Sequence, residues 1–368
     1  MGEVLGLGIS HYPPLSGRDD DMARLLKTRL QDPDAPAAAK DPAGWPELMR
    51  REWGEDEGAA GAAIHRQDMV RGLRKAREAL DAFQPDLVLV WGDDQYENFR
   101  ESLVPAFCVL AYEDMAIRPW APPSEDANFV FTPEGGGRPN HWGEGRDFEI
   151  KVRGHREAAR HIASALIERD FDVAYAYEPL NQPGLSHAFL NTVLYLDYDR
   201  RGFPFPIVPF PINCYGRLTI SYRGFASRLG ERGRPADPPS PSPRRIFDLG
   251  AETARVCRES PWRVALVASS SWSHAFLVDK TWRLQPDLAA DRRMYRALLD
   301  GDWNAWRSTT LAEVEDAGQQ ELLNWFALAG AMDALGQACS WSDYVETYAF
   351  NSTKVTAIFP PAGAAAAS

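Results

Sequence analysis

The chain is short of cysteine, of histidine and of positive charge, and it contains no long apolar run. Its four cysteines, Cys108, Cys214, Cys257 and Cys339, stand far apart. That spacing fits neither a disulfide framework nor a zinc ribbon, so reduced packing residues are expected. No stretch approaches the roughly 18 apolar residues of a membrane span. The opening MGEVLGLGIS has neither a basic region nor a small-residue cleavage site, the marks of a secretory leader. A soluble cytoplasmic protein without a membrane partner is the expectation. With 40 Lys+Arg against 52 Asp+Glu the formal charge is −12. Such a chain repels nucleic-acid backbones and anionic lipid, which leaves a small molecule as the partner. A GxSxG elbow and a phosphate-binding GxxxxGKS/T loop are missing, and GLGIS lacks the full glycine set of a dinucleotide fingerprint.

At 368 residues with 45% hydrophobic and 11% aromatic content, the chain can bury a large core. VLGLGIS (4 to 10) reads as a first strand that ends at His11. Residues 60 to 84 repeat apolar side chains at helical spacing and stop at Pro85, before the strand LVLVWG. VPAFCVLAY (104 to 112) reads as another strand. A polar, Pro- and Gly-rich passage at about 113–150 follows, long enough to be a lid or binding loop. HREAARHIASALIERDFDVAYAY (155 to 177) reads as a helix entering a strand, and FPFPIVPFPINCYG (203 to 216) as a strand bracketed by prolines, as expected at a sheet edge or a strand end. A Pro/Arg-rich link at about 232–245 precedes a helix at about 246 to 259, the strand ALVASSS, and a mostly helical remainder. Strands alternating with helices predict an α/β fold whose mostly parallel or mixed central sheet is flanked by helices. The links are too short to prove two domains, and residues 1–368 are read as a single domain.

Ligands of open α/β sheets bind beyond the carboxyl ends of the strands. Several predicted strands end there in polar groups: His11, the WGDDQYENF turn with Asp93, Asp94, Gln95 and Tyr96, and His274 after Ser273. The strand at 172 to 177 leads to His187. Side by side, these strands would bring three histidines and an acidic turn to one crevice, enough to hold a divalent metal with an acid/base to spare. Each has a plainer reading. A histidine after a strand is commonly a hydrogen-bonded structural residue, and an Asp there can cap the backbone that follows. Capping accounts for one of the two aspartates but hardly for both. His65, His155 and His161 lie in predicted helices among charged residues, where solvated or capping roles fit better. A serine nucleophile in SSSWSH paired with His274 would need a geometry that so short an extended segment seldom makes.

With those positions in hand, the sequence resembles the class III extradiol ring-cleavage dioxygenases, the superfamily of the protocatechuate 4,5-dioxygenase catalytic β subunit. GISHYPPL looks like the family's first strand and metal-binding histidine, and GHREAARHIASALIERDFDVA like its helix followed by DFD. GLSHAF is similar to its DHG segment, IVPFPIN to its VIPFPVN strand, and SSSWSHAFL to its GGxSH segment. The tail LLNWFALAGA with ETYAFNSTKVTAIFPP is similar to its closing helix and strand. The resemblance implies a non-haem Fe(II) held by two histidines and a carboxylate, a small catecholic or related aromatic acid and O2 as reaction partners, and a homo-oligomer, dimer or larger. By position it implies His11 as a metal ligand and His187 as the catalytic acid/base, with His274 a ligand in one branch.

The departures concern the metal. Where the family has a second ligand histidine this chain has Gln95, beside Asp94. The family's glutamate ligand is expected near 282–291, a segment with no Glu, where Asp287 is the nearest carboxylate. Two repairs follow. In the preferred one, His11, Asp94 and His274 ligate the metal, with Gln95 as a weak fourth ligand or a donor behind it. Asp93, Tyr96, Tyr12 and Ser273 then bind substrate or support the ligands. In the other, a different metal or none is present, and a lyase, hydrolase or isomerase uses His187 as acid/base on the same scaffold. A non-catalytic partner subunit fits less well, because it would not need His187 in its GLSHAF setting.

Overall fold

A computed structural model describes residues 2–121, 139–222 and 235–361. The strands in chain order are β1 (Val4–Ile9), β2 (Leu87–Gly92), β3 (Cys108–Leu110), β4 (Met115–Ile117), β5 (Ile150–Val152), β6 (Ala174–Ala176), β7 (Ile207–Pro211), β8 (Val264–Ser269), β9 (Trp341–Val345) and β10 (Lys354–Phe359). Six of them form the central sheet in the order β7-β2-β8-β1-β10-β9. The first four run parallel, and β10 and β9 join antiparallel. The fold is thus the expected α/β type, a mixed central sheet flanked by helices. Among the described residues no helix is long and apolar enough to cross a membrane.

Both faces of the sheet are covered, which is why its parallel strands read as unbroken apolar runs. Along β2 the side chains alternate: Leu87, Leu89 and Trp91 enter one core, Val88 and Val90 the other. The first core packs against the helices Pro243–Glu259 and Leu323–Leu335, the second against Ala59–Phe83 and His187–Leu196. Proline-rich β7 sits at the sheet edge, where a missing backbone donor is tolerated.

The helices Pro243–Glu259 and Leu323–Leu335 meet backbone to backbone. A Cβ at Gly330 would overlap the carbonyl oxygen of Phe247, and one at Gly250 that of Ala327. Gly330→Ala is therefore expected to cost about 3 kcal/mol by forcing the pair apart. Urea denaturation checks this, and an unchanged midpoint would show that the crossing can yield.

Three expectations need correction. The run at 104 to 112 supplies only the short β3, which pairs with β6 in a separate two-stranded sheet. Consequently β6 does not lie beside the strands that carry His11 and Asp93. His65 is not solvated: it is buried against Tyr12 and Phe350. His155 does cap its helix, accepting from the Ala158 N–H. Of the long passage at about 113–150, residues 122–138 lie outside the described residues, as do residues 232–234 of the Pro/Arg-rich link.

Candidate active site

The parallel strands β2, β8 and β1 are neighbours, so their carboxyl ends open at one place. His11 follows β1 and Asp93 follows β2. His274 follows β8 after a short turn, and His187 opens the helix His187–Leu196, which packs into the second core. All four are buried. His11, Asp93 and His187 each present a ligand atom, and these atoms lie within 4.8 Å of one another. Such a buried His-Asp-His cluster can coordinate a divalent metal.

The hydrogen bonds behind the imidazoles set their tautomers. His11 Nδ1 lies 2.8 Å from the Ser269 carbonyl, and His274 Nδ1 lies 2.7 Å from that of Trp272. A carbonyl only accepts, so each Nδ1 carries the proton and each Nε2 keeps its lone pair. Burial pushes His11 down to about 4 and His274 to about 3, so both rings are neutral. Their Nε2 atoms face carboxylates. Asp93 Oδ1 is 3.6 Å and Glu321 Oε2 3.7 Å from His11 Nε2, and Glu321 Oε1 is 3.4 Å from His274 Nε2. Atoms about 2.1 Å from a shared cation lie roughly 3 to 3.5 Å from each other, close to these separations. Asp93 Oδ1 is buried and has no hydrogen-bond donor among the described residues. Burial and the neighbouring Asp93 push the Glu321 carboxyl well above its usual range. Neutral imidazole nitrogens beside buried carboxyl groups, one oxygen of which has no donor, fit a divalent cation that would displace the proton.

His187 is held differently. Glu97 accepts from its backbone N–H through Oε1 and from its Nδ1 through Oε2, both at 2.8 Å. Burial alone would lower this imidazole, but the carboxylates around it, Glu97 first, raise it to about 9. It is therefore a proton carrier as well as a possible ligand.

The acidic turn divides its labour. Asp94 turns away from the cluster. Its oxygens accept from the backbone N–H groups of Glu97, Asn98 and Phe99 and from the Ser186 hydroxyl. The expected set of His11, His274 and Asp94 is not what the fold gathers, because both Asp94 oxygens are spent on the turn. Burial and Glu97 raise Asp94 to about 6. Asp94→Ala would strand three buried donors and release Ser186, so a loss of about 3 kcal/mol in chemical denaturation is expected. A loss below about 0.5 kcal/mol would mean that water replaces the carboxylate.

The other expected residues are placed as follows. Gln95 donates from Nε2 to Asp93 Oδ2, to the Tyr215 hydroxyl and to Glu321 Oε1. Tyr96 adopts a positive φ of 62° and donates to Glu101, and Tyr12 donates to the Met22 carbonyl. Ser273 donates to the Ala317 carbonyl and not to His274, and Asp287 caps the helix Leu288–Asp300. Glu321 and Glu97 were not foreseen. Glu321 lies in QQELLNW, far beyond the segment searched for a glutamate.

No family model matches the chain. It is 29% identical over 301 residues, 75% of this chain and 84% of the relative, to a 2,3-dihydroxyphenylpropionate/2,3-dihydroxicinnamic acid 1,2-dioxygenase of Burkholderia vietnamiensis. The same-named protein of Paraburkholderia phymatum is 27% identical over 302 residues, with the same coverage. A gallate dioxygenase of Pseudomonas putida is 25% identical over 188 residues, 50% of this chain and 47% of the relative. Over three quarters of its length the chain is thus similar to extradiol ring-cleavage dioxygenases. The extradiol-like reading accounts for a buried metal-capable cluster at the carboxyl ends of β1 and β2, with a carboxylate-held histidine beside it.

Proposed function

We propose that this chain is a non-haem Fe(II)-dependent extradiol ring-cleavage dioxygenase acting on a small catecholic or related aromatic acid, with residues 1–368 as one catalytic domain. The observation that supports this most is the buried gathering of His11, Asp93 and His187 ligand atoms, with His187 held by Glu97. The dioxygenase names of the similar proteins favour a diol-bearing aromatic substrate.

Bound Fe(II) would supply a single centre at which the diol oxygens and O2 are held together and exchange electrons. His11 Nε2 and Asp93 Oδ1 offer donor atoms for it. Ser269 and Trp272 lock the ring orientations of His11 and His274 through Nδ1. Glu97 fixes Nδ1–H of His187, which reserves Nε2 for proton transfer. In the neutral form of the ring that nitrogen takes a proton from a catechol hydroxyl, and as the imidazolium that its carboxylate neighbours favour it returns the proton to the opened product. In the net reaction the ring C–C bond next to the diol breaks, and both atoms of O2 enter the product.

The test is anaerobic purification with Fe(II) reconstitution, metal analysis, and O2 uptake with 2,3-dihydroxyphenylpropionate, gallate and catechol. One iron per chain and diol-dependent O2 consumption are expected. Folded, iron-loaded protein that consumes no O2 with any diol would refute ring cleavage.

A further inference from the structure

A second cleft opens at the other end of the sheet. Asp86 and Pro206 immediately precede β2 and β7, and Trp262 stands just before β8. They mark the amino ends of these strands, whereas the candidate active site lies at the carboxyl ends. The six residues of β2 set the two ends roughly 20 Å apart. With the helix Arg156–Ile167 these residues line a cleft of about 910 Å3, a volume in the usual range of small-molecule sites. The helix turns one face to it: Glu157, Arg160, His161 and Ser164 recur at helical spacing along the cleft, while Ala158, Ala159, Ile162 and Leu166 are buried on the other side.

The cleft has an aromatic corner. The half-buried Trp262 ring lies 5.4 Å from that of His155 at 72° and 5.5 Å from that of His161 at 73°. A planar ring entering such a corner stacks on one member and meets the edge of another. His155 Nδ1 accepts from the Ala158 N–H, so the ring proton sits on Nε2, a donor that the helix cap does not use. The charges of the lining are partly spent. Arg156 meets the Glu113 carboxylate at 3.1 Å, and Asp86 accepts from the Arg263 N–H at 2.7 Å. Arg153 gives one N–H to the Pro204 carbonyl, and exposed Arg160 makes no hydrogen bond or ion pair among the described residues. Two guanidinium groups therefore remain against the one carboxylate of Glu157. A guanidinium holds a carboxylate through two parallel N–H bonds. The acids of the lining repel a doubly charged phosphate more than a singly charged carboxylate.

We propose that this cleft is a second binding site, for a small aromatic carboxylate whose ring packs against Trp262 and His161 and whose carboxylate is held by Arg160, with Arg153 as the other free cation of the cleft. The site shares no residue with the buried cluster around His11 and stands at the opposite end of the sheet. It does not depend on ring cleavage, and its occupant needs no diol.

The test labels the full chain with fluorotryptophan, assigns the Trp262 fluorine resonance through Trp262→Phe, and titrates with phenylpropionate, an aromatic carboxylate without a diol. A saturable shift of the Trp262 resonance is expected, with a Kd of about 1 mM or below. Arg160→Gln should weaken binding about 10-fold, and His161→Ala by roughly 2- to 10-fold. Both side chains are exposed, so the variants should melt as wild type does. Inorganic phosphate should bind more weakly than phenylpropionate. A Trp262 resonance unmoved by phenylpropionate at about 10 mM would overturn the site. A shift that saturates identically in wild type and Arg160→Gln would place the ligand elsewhere and overturn it as well. Tighter binding of phosphate than of phenylpropionate would overturn the aromatic carboxylate as the occupant. Because the readout is binding at Trp262, a failure of diol-dependent O2 uptake would leave this site standing.

Discussion

His187→Asn is expected to lower kcat for diol-dependent O2 uptake by roughly 10²- to 10⁴-fold, the usual worth of a positioned acid/base. Alanine is the poorer choice of replacement. It would leave the Glu97 carboxylate buried without its partner, and breaking a buried pair costs about 3 to 5 kcal/mol. Asparagine can place an amide N–H near the position of Nδ1, keeping the bond to Glu97 Oε2, while removing Nε2. The loss should therefore fall on kcat, with substrate KM and bound metal little changed. Steady-state kinetics alongside metal analysis separate the outcomes. A variant that turns over at the wild-type rate excludes His187 as the proton carrier, and one that loses its iron makes His187 a ligand.

The second large effect concerns stability and lies away from the cluster. Asp291 is fully buried, accepts from Gln319 Nε2 at 2.7 Å and from the Ser273 N–H, and is pushed up by burial to about 7. A carboxyl whose folded value exceeds its unfolded one favours the neutral form in the fold. Its contribution is complete below the unfolded value of 3.8. It declines as pH rises toward 7 and is flat beyond. Asp291→Asn keeps an acceptor for both donors and cannot ionise. Relative to wild type it should gain stability between pH 4 and pH 8, by an amount on the order of 3 kcal/mol at the upper end. Denaturation midpoints of both proteins across that range check it, and parallel curves would show that Asp291 does not titrate there.

Much of this architecture was legible because its signals are local. β1, β2 and β8 are short apolar runs closed by polar residues, and both faces of each are buried, so composition alone marks them. The histidines at their ends were legible for the same reason. The choice between Asp93 and Asp94 was not. It turns on which carboxylate the backbone after β2 folds over, and that follows from the tight turn through Tyr96 with its positive φ. Continuing the alternation of β2 puts Asp93 on the side of Leu89 and Trp91, a signal that helps only once the face of the site is known. Glu321 left no mark in the chain. Carboxylates are plentiful among 52 acidic residues, and its arrival beside His11 is decided by the packing of the helix Leu323–Leu335. β6 was misplaced because a three-residue strand carries no indication of which sheet it will join.

The order of strands in the sheet also governs how the site can come apart. β1, which delivers His11, is flanked by β8 and β10, two segments from the last third of the chain. The cluster is thus knit from distant pieces, and no fraying of one loop can release His11, Asp93 and Glu321 together. Amide protons in the middle of β1 and β8 should exchange with solvent only when the whole sheet opens. Contacts that bridge such separations also form slowly, so regaining the site after denaturation should be as slow as regaining the fold itself.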